Sequence, residues 1–233
     1  MKRFYIILIT ILTFGVLTSC TEDYYFETGI ANDKFNGSAW DYLNSKPEHF
    51  SKITEIIKVA NMESIFQNDE ITFFAPKNPS IERAMNKINS SLKISGLDTI
   101  ANFNEVNPEI WQEFVGLYVI PGRYELKDIP QVDTLTFNFK GQQYKSINGR
   151  SMNMGLLYNS AGGVDYAGYR QIIYAYVYDF ARPEASRSNI IVATANNKVN
   201  NGVVHVLQAT AHTFGFDTNV IIERLRTGGF ISQ

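Results

Sequence analysis

A strand, a break and a helix are compressed into residues 71–85, and this stretch constrains the fold more than any other. Ile71, Thr72, Phe73 and Phe74 are β-branched or aromatic, types that suit a pleated, partly buried surface. Pro76 has no N–H to give a ladder and biases Ala75 towards extended backbone, so the strand ends there. Asn78 is placed as an N-cap and Pro79 at the first helical position, where a missing N–H costs nothing. Ile81, Ala84, Met85 and Ile88 then recur at helical spacing. This strand and helix are expected to pin the core.

Upstream the pattern is helical. Ser38 is placed to cap residues 39–45, and Pro47 opens a second helix whose stripe is Phe50, Ile53, Ile56, Ile57 and Ala60. Pro108 begins another, with Ile110, Trp111, Phe114, Val115 and Tyr118 on its apolar side. Strands dominate afterwards, at 117–120, 134–140, 144–147, 152–158, 172–180, 190–195 and 203–207. Leu135, Phe137 and Phe139 alternate on one face of the second of these, and Asn148-Gly149 signals a tight hairpin. Thr218 is placed to cap a last short helix. Helices first and strands later predict an α+β domain rather than alternating α/β.

The N-terminus has a different character. Lys2 and Arg3 precede an apolar run over residues 4–16, too short to span a bilayer and right for a signal-peptide core. The run leads into Leu17-Thr18-Ser19-Cys20, which resembles the bacterial lipobox and implies lipidation of Cys20. Acidic Glu22 and Asp23 follow, as in surface-exported lipoproteins of Bacteroidetes; a solvated tether would look the same. A lipid-linked Cys20 anchors a protein to a membrane rather than across it. Cys20 is also the single cysteine, so an internal disulfide and an all-cysteine metal site are both excluded. The expected organisation is a signal peptide at 1–19, a lipidated cysteine and tether at 20–36, a domain at 37–215 and a C-terminal helical extension at 216–233.

Two stretches resemble the fasciclin-like domain family. Phe74, Ala75, Pro76 and Asn78 match its first signature, a strand running into alanine-proline and then a helix. Asn201, Gly202 and His205 match its second, an asparagine-glycine strand with a central histidine. Between them, residues 118–124 resemble the family's tyrosine–proline–glycine segment. The resemblance implies a wedge-like β-sandwich with a helical layer, a structural role for His205, and adhesion as the function. Lys77, Ile81 and Val119 depart from the common pattern, so partners of animal relatives are not carried across.

Chemistry-bearing patterns are sparse. His49, His205 and His212 form no metal-ligand spacing, and no nucleophile elbow, phosphate loop or dinucleotide fingerprint occurs. No metal, cofactor or enzymatic activity is expected. With a net charge of −2, the chain has no basic excess for nucleic acid. Its aromatic pattern is richer: Tyr158, Tyr166, Tyr169, Tyr174, Tyr176 and Tyr178 place six of 13 tyrosines within 21 residues. Tyr174, Tyr176 and Tyr178 share one strand face by the period of two. Tyrosine joins a flat apolar ring to a hydrogen-bonding tip and suits protein interfaces and sugars. A tyrosine face packed on a neighbouring element would bind nothing.

The expectation is a non-enzymatic outer-membrane lipoprotein that binds a protein or glycan through Tyr166, Tyr169, Tyr174, Tyr176 and Tyr178. The alternatives are a carbohydrate-binding accessory protein of a glycan-uptake system and a structural partner of another envelope protein.

Overall fold

The computed structural model describes residues 34–231; Cys20 and the leader lie outside them. Three helices open the domain: α1 (Ala39–Asn44), α2 (Pro47–Val59) and α3 (Glu63–Asn68). Ser38 caps α1 in a reciprocal capping box with Asp41, which satisfies two otherwise orphaned donors. The predicted stripe of α2 is wholly inside, with Phe50, Ile53, Ile56, Ile57 and Ala60 each at most 1% exposed. The phenylalanine and each isoleucine contribute roughly 1.5–3 kcal/mol by burial.

The strand–break–helix unit forms as the residues dictate. β1 (Ile71–Ala75) stops before Pro76, and α4 (Asn78–Ile94) buries Ile81, Ala84, Ile88 and Leu92. Asn78, however, does not cap α4, which starts at Asn78 itself after Lys77. Its side chain reaches sideways to α2, accepting from Lys52 N at 3.0 Å and donating to Pro47 O, Glu48 O and Ser51 Oγ. The asparagine staples two helices at the start of α2.

After α5 (Pro108–Gly116) come β2 (Val119–Pro121), β3 (Gln131–Val132), β4 (Gln142–Lys145), β5 (Ser151–Tyr158), β6 (Arg170–Val177), β7 (Arg187–Val199) and β8 (Gly202–Leu207). They form an eight-stranded sheet in the order β2-β1-β8-β7-β6-β5-β3, with β4 also on β5. β1 and β8 are parallel, with Phe74 opposite His205. The two faces of the expected wedge are thus one curled mixed sheet, and β7 is where it turns. Its first part pairs with β6 and its second with β8, with register shifts between Val192 and Asn197. Bulges of this kind let a strand bend and change sheets.

The alternation at 134–140 does not make a strand. Phe137 has φ 57°, and Asp133 accepts from the N–H groups of Leu135 and Thr136. This local turn competes with any ladder, and it leaves Leu135 87% exposed. The hairpin at Asn148-Gly149 is a three-residue loop rather than a two-residue one. Gly149 N donates to Ser146 O, Ser146 N donates to Arg150 O, and Gly149 takes φ 80°, the pattern of a type I turn closed by a left-handed glycine.

α6 (Thr218–Arg226) is capped by Asp217, not Thr218. It and the segment before it belong to the same core: Phe214, Ile221 and Leu225 are at most 2% exposed. Among the described residues, no helix is long and apolar enough to cross a membrane.

Candidate functional site

The signature residues hold the frame. Asn201, in the turn between β7 and β8, accepts from Ala39 N at 2.8 Å and donates to Phe66 O and Asp69 O. One side chain therefore ties the start of α1 and the end of α3 to the sheet. A Cβ on Gly202 would lie 1.8 Å from Ile71 O, so only glycine lets β8 lie against β1. His205 is fully buried. Its Nδ1 accepts from Asn196 N at 3.2 Å, and its Nε2–H donates to Tyr124 O at 2.9 Å. Asn196 has φ 59° in the bent part of β7, so the histidine satisfies the backbone donor that the bulge removes from its ladder. Desolvation lowers the His205 pKa to about 4.

The tyrosine-rich segment is divided by the fold. Tyr174 is 0% exposed, stacked on Phe74 and donating its hydroxyl proton to Leu117 O. It is a core residue and not part of any binding surface. Tyr176 is half-buried, and Tyr178, just beyond the end of β6, is 47% exposed. The period of two aligned these three rings correctly, but the C-terminal segment covers the face they share: Phe216 lies on both Tyr174 and Tyr176. Tyr166 and Tyr169 are exposed at the opposite end of β6, Tyr166 edge-on to Phe139. An eight-residue strand separates them from Tyr178, a span of about 27 Å, so the five tyrosines form no single platform.

One side chain missing from the sequence reading reorganises the site. Arg150 follows the β4–β5 turn, which is itself fixed to α5 by Asn148 Nδ2 donating to Glu113 O at 2.6 Å. The Arg150 guanidinium lies 4.5 Å from the Tyr176 ring centre and 4.8 Å from that of Phe180. Its Nη2 donates to Val177 O at 2.7 Å, while its Nε is buried without an acceptor. Beneath Tyr176 the stack continues through Phe216, Tyr118 and Phe214. A column of flat groups thus runs from the core to the surface, with a cation as its second-outermost member. Such contacts contribute about 0.5–2 kcal/mol each and fix orientation. Burial pushes the Tyr176 hydroxyl above its ordinary pKa, with Arg150 pulling against it.

Two members of this column, Arg150 and Tyr176, line a cleft of about 790 Å³, within the range of small-molecule sites. Gln112 and Phe114 of α5, Met62 and Ile65 at the start of α3, and Val220 of α6 complete it, with Glu109 and Glu113 also at its lining. Glu113 is paired with Arg224, whose Nε lies 3.1 Å from Oε2 and whose Nη2 lies 3.3 Å from Oε1. The only signal in the sequence for Arg150 was its place directly after a hairpin glycine. Phe216 and Phe180 are far from Arg150 in the chain and gave no signal at all.

A helical layer thus packs on a curled mixed sheet, with a cleft beside Arg150 and Tyr176 and a structural histidine, His205, in the core. The fasciclin domain model matches residues 48–210, and the chain belongs to that family, whose domains are typically non-catalytic binding modules. α6 lies beyond the matched residues yet shares the core. Among solved structures, the FAS1 domain pair of the insect cell adhesion molecule fasciclin I is similar, at 14% identity and a TM-score of 0.48. The match covers 73% of this chain and 49% of that one, so the chain spans about half of that structure's length. No curated protein matches.

Proposed function

We propose that the chain is a lipid-anchored, non-enzymatic binding protein of the bacterial outer membrane, held by Cys20 and taking its ligand in the cleft beside Arg150 and Tyr176. The anchor rests on the charged start, the short apolar run and the single cysteine at its end. The family's association with adhesion and binding supports the role of the domain. The observation that carries the binding reading is the cleft itself, lined by an arginine within 5 Å of two aromatic ring centres.

The test is to produce the full chain and Cys20→Ala in a Gram-negative host with a clickable fatty acid. Acyl label and membrane association confined to the wild type are expected. Equal labelling of Cys20→Ala overturns the anchor. Protease added to intact cells then separates a surface-facing domain, which is digested, from a periplasm-facing one, which is spared.

A second reading, docking on another envelope protein, is favoured by the opposite end of β6. There Leu135, Phe139, Val164, Tyr166 and Tyr169 are all at least 43% exposed. A stoichiometric partner that co-purifies with the wild type, and is lost with Tyr166→Ala and Tyr169→Ala together, would move the function there.

A further inference from the structure

Arg150 is a cation prepared for an anion that the domain does not supply. Its guanidinium carbon lies 4.5 Å from the Tyr176 ring centre and 4.8 Å from that of Phe180, so two rings restrict its movement. Nη2 is fixed to Val177 O and Nε has no acceptor. Among the described residues, no carboxylate lies within ion-pair distance of Arg150. A guanidinium presents its donors as a planar fork, the geometry that matches a carboxylate edge-on. Immobilising it beforehand removes much of the ordering cost of binding.

The rest of the lining sets the polarity of the site. Arg224 occupies the Glu113 carboxylate, so that charge does not oppose an anion. Glu109 keeps its carboxylate at the lining and disfavours an anion on its own side, which leaves Arg150 as the anionic end. Between them the lining is apolar, with Val220 37% exposed and Met62, Phe114 and Leu117 largely buried, and Gln112 and Asn148 stand at its border, held in place by amide nitrogens that donate to Ala60 O and Glu113 O. An apolar floor with amides at its edge suits a sugar ring, which has an apolar C–H face and a belt of hydroxyls.

We propose that the cleft takes an acidic saccharide, with the sugar carboxylate on the edge of Arg150 and the ring over the floor between Phe114 and Val220. This rests on the cleft being the binding site. The test is calorimetric titration of the full chain in detergent with three probes: a hexuronate oligosaccharide, the neutral hexose oligosaccharide of the same linkage, and an acidic tetrapeptide. Saturable binding of the hexuronate is expected, with the other two at least about tenfold weaker. Arg150→Lys and Arg150→Gln should each weaken it by about tenfold or more, because lysine keeps the charge but loses the fork. Glu109→Gln should tighten it.

Val220→Trp fills the cleft from α6 and should abolish binding. Hexuronate binding that survives Val220→Trp removes the site from the cleft and overturns the underlying reading. Binding lost in Val220→Trp but unchanged in folded Arg150→Gln keeps the cleft and overturns the role of Arg150. Equal affinity for the neutral saccharide, tighter binding of the peptide, or no binding of any probe overturns the acidic saccharide. Should the Arg150 variants fail to fold, Glu109→Gln and the comparison of acidic with neutral saccharide still decide the question.

Discussion

The ring of Tyr174 lies flat on Phe74, with centroids 3.8 Å apart and planes 6° from parallel, and its hydroxyl donates to Leu117 O at 2.5 Å. A residue of β6 is thereby fixed both to β1 and to the end of α5. Tyr174→Ala should lower stability by about 3–5 kcal/mol, as large aromatic truncations in cores do. Tyr174→Phe should cost about 1–3 kcal/mol, because it leaves the Leu117 carbonyl unpaired. Tyr178→Ala and Tyr169→Ala, at exposed positions, should change stability by less than about 0.5 kcal/mol. Urea unfolding of the four variants checks the division of the tyrosines into core and surface.

Asn201 satisfies one backbone donor and two backbone acceptors from α1 and α3. Asn201→Ala leaves all three without that partner, and a cost of about 2–4 kcal/mol is expected. Amide exchange should speed up at Ala39 before the core strands respond, since the α1 start loses its tie first.

Gly202 has φ 151° and no room for a Cβ beside Ile71 O. Gly202→Ala should break the parallel pairing of β1 and β8 and cost more than about 4 kcal/mol. Gly149→Ala provides the comparison. Gly149 has φ 80° but nothing within 4 Å of an added Cβ, so only the backbone penalty of about 1 kcal/mol is expected. Soluble yield and thermal midpoint of the two variants separate steric exclusion from conformational preference.

The two core histidines make the domain sensitive to acid. Burial lowers His205 to about 4 and His212 to about 3, from an ordinary 6.5. Between those limits the unfolded chain binds more protons than the folded one, so stability rises with pH. On acidification it falls from about pH 6.5, and the His205 contribution to the fall is complete near pH 4, on the order of 3 kcal/mol. Asp41 and Glu105, held low chiefly by the backbone N–H groups of Ser38 and Ala101, work in the same direction but only below the ordinary carboxylate range. Unfolding free energies measured from about pH 7 to about pH 4.5 should therefore fall through the histidine window. His205→Asn should flatten that slope while lowering stability at neutral pH.

What could be read in advance was local. The β1–α4 unit and the α2 stripe follow from period and proline placement, and tertiary contacts reinforced both. Alternation at Leu135, Phe137 and Phe139 failed because a period of two requires a partner strand, and Asp133 had already turned the chain back on itself. The three tyrosines of β6 shared a face, but alternation does not say which face is covered. Phe216, some forty residues later, decides that, in the left-handed backbone region at φ 61°. The cleft was illegible for the same reason. Gln112, Arg150, Tyr176 and Val220 come from separate elements, and only the curl of the sheet and the docking of α6 bring them together.

The bent strand β7 also has a mechanical consequence for a domain anchored and liganded as proposed. Chain arriving from the N-terminus joins the fold at Phe35, which donates to Lys198 O at 2.7 Å, and at Gly37, which accepts from Asn200 N at 2.8 Å. Ser188, near the other end of β7, is paired with Tyr176 at the cleft. With the anchor and the ligand placed as proposed, the two would sit towards opposite ends of one strand. A pull between them would then run along β7, in shear against the ladders to β6 and β8. In that direction many hydrogen bonds must give way together instead of unzipping singly, so the strand that curls the sheet is also the one placed to bear a load.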